Sequence, residues 1–197
     1  MKTLKFFFVI GLLGICLSCS NRLTPSQEEE LDMVVREFST FLTDNYSVGD
    51  SLYFQHMVWN KETKQYFTDE TRGFVVTENY IKPYSKTILG TEDAEGLVSQ
   101  EDGYKLITVL QGGTDKLYIE LTCAWQNKKY IFYVGTFLIN DMKDDGYNGV
   151  LTDDPDVIKL GHMDATCILQ RNVGIIEWWN LGDKEGSVKY GRWLPYQ

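Results

Sequence analysis

Histidine is nearly absent from this 197-residue chain, proline is scarce and basic charge is outnumbered: 2 His, 4 Pro, and 19 Lys plus Arg against 28 Asp plus Glu. Each shortage excludes something. With only His56 and His162, and no Cys-x-x-Cys pair, a structural zinc site lacks its ligands. A formal charge of −9 repels phosphate backbones, so no nucleic-acid partner is expected. The phosphate-cradling G-x-x-x-x-G-K-[ST], the dinucleotide G-x-G-x-x-G and the nucleophile elbow G-x-S-x-G are all missing. No cofactor is called for. No Pro/Ser-rich linker or internal repeat divides the chain, so residues 24–197 read as a single globular domain.

The chain's long apolar run is also too short to span a membrane. Phe6 to Leu17 carries no charge, but twelve helical residues rise only about 18 Å against a bilayer core of about 30 Å. Lys2 and Lys5 precede it without an acid. That is the order of a secretory signal. Leu17-Ser18-Cys19 follows and resembles the lipobox of bacterial envelope lipoproteins. Cys16 stands where that motif usually has an aliphatic residue. The resemblance implies a signal peptide over 1–18, cleavage before Cys19, an acyl (palmitate-type) anchor on Cys19 and a tether over 19–23. Ser20, which is not Asp, is similar to lipoproteins forwarded to the outer membrane. The expected location is therefore the cell envelope, anchored in the outer membrane and facing the periplasm.

Removing residues 1–18, which hold two lysines and no acid, leaves 179 residues and takes the formal charge from −9 to −11. Such a chain is long enough to bury its own core. Two cysteines then remain besides the anchor. Cys123 and Cys167 either form a disulfide, as an oxidising compartment allows, or sit as apolar core thiols. Sequence gives no distance between them.

What is present is a helix start followed by β pattern. Thr24-Pro25-Ser26-Gln27 is a capping box with proline at the first helical position. Leu31, Val34, Val35, Phe38 and Leu42 then recur at helical spacing, which predicts an amphipathic helix ending near Asn45. From Leu52 the period becomes two. Strands are expected at 52–59, 65–67, 72–77, 104–111, 116–126, 130–139, 165–171, 173–180 and 187–194. Pro83 leaves 79–89 ambiguous. Residues 116–126 alternate most clearly, with Leu117, Ile119, Leu121, Cys123 and Trp125 on one face. Residues 130–139 are apolar on both faces, which suggests a central strand. The resulting class is α+β: an N-terminal helix packed on a curved, mostly antiparallel sheet of seven to nine strands, with a β-sandwich as the alternative.

Chemistry-bearing constellations are few. Asp141, Asp144, Asp145, Asp153, Asp154 and Asp156 fill a long loop over 140–164 and form a weak calcium candidate. The EF-hand pattern itself fails, because Lys143 and Thr152 occupy ligand positions. His162-Met163-Asp164 pairs an imidazole with a carboxylate but lacks a nucleophile. His56 shares strand parity with Leu52, Phe54 and Val58 and reads as a core or edge residue. Trp59, Trp178, Trp179 and Trp193 are candidate ligand-contacting aromatics, set against the plainer reading that they fill the core. Three function classes follow. The first is a non-catalytic binding or assembly module holding a protein or glycan partner at the membrane. The second is a periplasmic inhibitor or immunity-type protein. The third is a hydrolase with its site at the 140–164 loop.

Overall fold

The computed structural model describes residues 23–60, 62–88, 99–140, 150–151, 154–162, 165–180 and 191–196. Helix α1 spans Pro25–Ser39. Its start follows the sequence rule: the Gln27 amide donates to the Thr24 hydroxyl at 3.3 Å, and the Thr24 amide donates to the Gln27 carboxamide at 2.9 Å. The helix ends six residues before the predicted Asn45. The Ser39 hydroxyl donates to the Asp44 carboxylate at 2.6 Å, and the Thr40 hydroxyl donates to Glu37 O at 2.6 Å. These local bonds divert the chain into a 3-10 turn at Thr43–Asn45. Phe41 and Leu42 remain buried, so the apolar stripe outlasts the helix that carries it.

Among the described residues ten strands form one antiparallel sheet: β1 Ser51–Asn60, β2 Gln65–Ile88, β3 Ser99–Gly112, β4 Asp115–Gln126, β5 Tyr130–Ile139, β6 Val150–Leu151, β7 Val157–His162, β8 Ala165–Gln170, β9 Gly174–Asn180 and β10 Gly191–Tyr196. Their order is β5-β4-β3-β2-β1-β10-β9-β8-β7-β6. The chain is an up-and-down meander except at one junction, where the last strand pairs with the first. That junction rolls the sheet into a nearly closed barrel. Among the described residues one 15-residue α-helix stands against ten strands, which makes the fold mostly β and corrects the α+β class. The helix packed on an antiparallel sheet is as expected. A single continuous ladder takes the place of the sandwich alternative.

Three expectations are revised. The first is the loop expected over 140–164: β7 at Val157–His162 lies inside it. The segments at 65–67, 72–77 and 79–89 merge into the 24-residue β2, whose register shifts at Asp69 against β1 and between Val76 and Glu78 against β3. β5, expected to be central, ends the ladder. Its inner face meets the core, and its free edge lies near β7. Among the described residues no backbone pairing joins β5 to β7. Side chains of Phe38, Leu121, Tyr133, Ile158 and Leu160 line this seam instead.

Antiparallel order sorts the connections into two ends. The C-terminal ends of β1, β3, β5, β7 and β9 point one way, toward the rim, and the β4–β5 and β8–β9 turns lie at the other end with α1. The helix is held there by hydrogen bonds. The Trp125 indole donates to Gln27 O at 3.0 Å, Gln27 Nε2 donates to Lys128 O at 3.0 Å, and the Asn172 amide donates to Thr40 O at 2.7 Å. Leu31, Val35 and Phe38 thus close the barrel against Leu106, Leu110, Leu117, Ile119 and Leu121. Burying each such side chain contributes about 1.5–3 kcal/mol.

After the helix, the buried Tyr46 hydroxyl accepts from the Ile175 amide at 2.6 Å, fixing the start of β9. Gly174 must be glycine here. Its φ is +86°, and a Cβ would stand 2.0 Å from the Tyr46 hydroxyl oxygen. Gly103 has a steric reason alone, since a Cβ would meet Cys123 O at 2.0 Å.

Candidate functional site

Inside the rim, cross-strand pairing brings two of the sequence-selected tryptophans together. Trp193 pairs with His56 on β1 and with Trp178 on β9. The two indoles stack at 4.9 Å and 3°, and His56 stacks on Trp193 at 4.7 Å. Phe54 and Phe74 meet Trp178 edge-on, at 6.1 Å each. Arg72 lies over the Trp193 ring at 4.9 Å. Its guanidinium donates to Asp115, and to Glu70 at 2.7 Å. Trp178, Trp193 and His56 are all buried. The row is therefore a plug that fills the barrel and carries a neutralised arginine on top, not an exposed stacking platform. One cost remains in this packing: the Trp178 indole N–H is buried without an acceptor among the described residues, worth about 1–3 kcal/mol.

The other tryptophans stand apart. Trp59 is half-buried against Tyr66, with ring centroids 4.9 Å apart. Trp179 is half-buried on the outer face, with Lys159 5.5 Å from its ring. His56 also lies 3.4 Å from Asp69 at the β2 bulge.

The room lies at the seam. A cleft of about 260 Å³ opens there, lined by Val34, Glu37, Phe38, Phe41, Tyr133, Asp154, Pro155, Ile158 and Arg171. Four elements build it: α1 and its following turn, β5, the start of β7, and the β8–β9 turn. Its walls are apolar, and Phe38 meets Tyr133 at 5.1 Å across it. Its edge is charged. Arg171 donates from Nε to Asp156 at 2.8 Å, and from Nη2 to Glu37 at 3.1 Å and Pro155 O at 3.1 Å. Its guanidinium lies 4.6 Å from the Phe41 ring. Hydrogen bonds to Asp156 and Glu37 hold the Arg171 pKa above its ordinary value. Sequence reasoning missed this site. Its members come from four separated segments, and only the acids of the 140–164 loop gave a signal.

A third polar cluster stands on the outer face of β2, β3 and β4. Lys105 Nζ donates to Glu120 at 2.6 Å, the Tyr118 hydroxyl donates to Glu120 at 2.5 Å, and the Tyr84 hydroxyl donates to Glu101 at 2.5 Å. Glu101, Glu120 and Thr122 are buried. Burial works against a charged Glu120. The bonds from Lys105, Tyr118 and Thr122, with the lysine charge, outweigh it and hold the carboxyl below its ordinary value. Burial, then the bond to Glu101, raises Tyr84; burial, then the bond to Glu120, raises Tyr118. The Lys116-Tyr118-Glu120-Thr122 alternation was legible in sequence; its partners on β2 and β3 were not.

Cys123 and Cys167 both sit buried on the inner face as free thiols. Burial pushes the Cys123 thiol up to about 12, and Cys167 is raised likewise. Cys19 lies outside the described residues, as do Asp141, Asp144, Asp145, Asp153 and Asp164. Of the remaining calcium candidates, Asp156 is bonded to Arg171, and Asp154 accepts from the Asp156 amide at 2.9 Å. Among the described residues no group of three or more His, Cys, Asp or Glu side chains is placed to hold a metal ion. Nor is any helix among them long and apolar enough to cross a membrane. Compared with known proteins, the chain matches no family model, no curated protein and no solved structure.

Proposed function

We propose that this protein is a binding module, lipid-anchored through Cys19 in the bacterial envelope, which holds a small apolar group in the seam cleft. The cleft carries the reading. It combines apolar walls with a few fixed polar groups, the composition of a small-molecule site, and its size lies just below the usual range of about 300–1,000 Å³. Its location supports the same reading. The helix that lines it begins at Pro25, and the proposed tether from Cys19 has only four residues, Ser20 to Leu23, before the cap. Four extended residues reach about 14 Å, so the helix-capped end would lie against the bilayer and the rim would point away. The cleft belongs to the helix-capped end.

Two measurements test this. Intact mass of the membrane fraction should give residues 19–197 plus lipid for the wild type and lose that product for Cys19→Ala. An unlipidated soluble product from the wild type removes the anchor. Solvent extraction of the purified wild type should release a bound apolar compound that Val34→Trp, which fills the cleft, does not carry. Equal extracts from both remove the cleft.

A further inference from the structure

We infer that Arg171 is the latch of the seam cleft: its guanidinium ties α1 to the segment leading into β7, and an apolar group enters and leaves by breaking that tie. This rests on the cleft being the binding site and adds what controls access to it. The latch has a fixed base. Arg171 stands in the β8–β9 turn, where its own amide donates to Asp156 O at 2.9 Å and the next amide, of Asn172, donates to Thr40 O at 2.7 Å. These main-chain bonds hold the turn against both walls independently of the arginine side chain.

The side chain is the moving arm. Nε donates to Asp156 at 2.8 Å, while Nη2 donates to Glu37 and to Pro155 O, each at 3.1 Å. One planar guanidinium thus holds a residue of α1 and two residues of the opposite wall at once. A lysine ammonium on its flexible stem does not reproduce that fork. The Phe41 ring, 4.6 Å away, supports the arm from the turn after the helix. Opening the arm is cheap. The Glu37 and Asp156 side chains are 57% and 62% exposed, so water replaces each bond that breaks. The surfaces beneath are side chains such as Val34, Phe38 and Ile158, and among the described residues β5 is not paired with β7, so parting the walls breaks no ladder. Such a tie governs rate more than affinity. It is closed over the empty cleft and closes again over a small guest, so its energy cancels between free and bound states and stands in the barrier in both directions.

The test uses the full chain carrying Cys19→Ala, mixed by stopped flow with the neutral fluorophore N-phenyl-1-naphthylamine at low salt. Only the signal that Val34→Trp removes is counted, with Val34→Phe in its place should the tryptophan variant not fold. Arg171→Gln should raise the association and dissociation rates together by about fivefold, with the dissociation constant within about twofold of the parent. Arg171→Lys, which keeps the charge and loses the fork, should move both rates the same way. At about 0.5 M salt the parent's rates should rise toward those of Arg171→Gln, whose own rates should barely respond. Unchanged rates in both variants would overturn the latch and leave the cleft as a site. A rise in dissociation alone, with affinity lost in proportion, would also overturn it, by making Arg171 a ligand contact. A probe that does not bind, or that binds the Val34 variants equally, would overturn the cleft and this inference with it.

Discussion

Glu120 shows how a single residue's environment turns into pH dependence. It is a buried carboxylate on a sheet face, held by Lys105, Tyr118 and Thr122. Its folded pKa is depressed, so its contribution is present above the ordinary carboxylate value and fades as pH falls through the lower folded value. Tyr84 and Tyr118 have raised folded values, so their contribution is intact below about 10 and fades as pH rises beyond it. Replacing Glu120 with Gln should therefore cost about 1–2 kcal/mol near neutrality, the usual loss when a charged acceptor leaves a buried network. Urea unfolding of both proteins from pH 3 to 9 checks this. The gap should be flat from pH 6 to 9 and narrow below pH 4; a gap that is constant down to pH 3 would show that Glu120 acts through shape and not through charge. The polar alternation of β4 made these side chains visible in sequence. Their pairing with Tyr84, Glu101 and Lys105 depended on β2 and β3 landing in register beside them.

Among the elements, β2 explains most of the difference between expectation and structure. Its first half, Gln65–Val75, pairs with β1, and its second half, from Val75 on, pairs with β3. Beyond Val75, which pairs with Ser51, β1 has ended, and only β3 pairs with Glu78–Ile88. Pro83 looked incompatible with a central strand, and the segment is indeed an edge, where a missing N–H costs no ladder bond on the open side. Lys82, Pro83 and Lys86 on an exposed edge are the residues expected to block pairing with another chain. Replacing Lys82 and Pro83 with Val should thus promote self-association at tens of micromolar concentration, read by sedimentation velocity, while the wild type stays at its own state. If the variant sediments like the wild type, this edge is guarded by something other than those two residues. Helix α1 shows the opposite balance. Its capping box was fully legible because the box is local, whereas its early end was not, because Ser39 and Thr40 divert the backbone through bonds that compete with the helix.

For the molecule as a whole, closure depends on two long-range junctions. One is the pairing of β1 with β10; the other is the clasp of the post-helix segment onto β9 by Tyr46. Tyr46→Phe removes the acceptor of a buried amide and should cost about 1–3 kcal/mol. Because the clasp joins the helix-capped end to the C-terminal strands, hydrogen exchange should rise first in β8 and β9. A Tyr46→Phe protein with wild-type stability and unchanged exchange there would make the clasp incidental.

The sequence by itself determined the local and periodic features: the capped helix, the alternating strands, the turns after Gln111 and Gln126, and the apolar residues of the inner face. These follow from backbone propensity and from spacing along the chain, which need no partner. The tertiary structure alone decided the pairing of first strand with last, the demotion of β5 to an edge, the stacking of Trp178 on Trp193 and the assembly of the cleft. Each of these joins residues from 15 to about 140 positions apart. Strand period fixes which face a side chain takes, but not which strand will lie beside it. That choice is made by closure of the barrel, which buries both aromatic faces of the row and leaves one seam for the helix to cover.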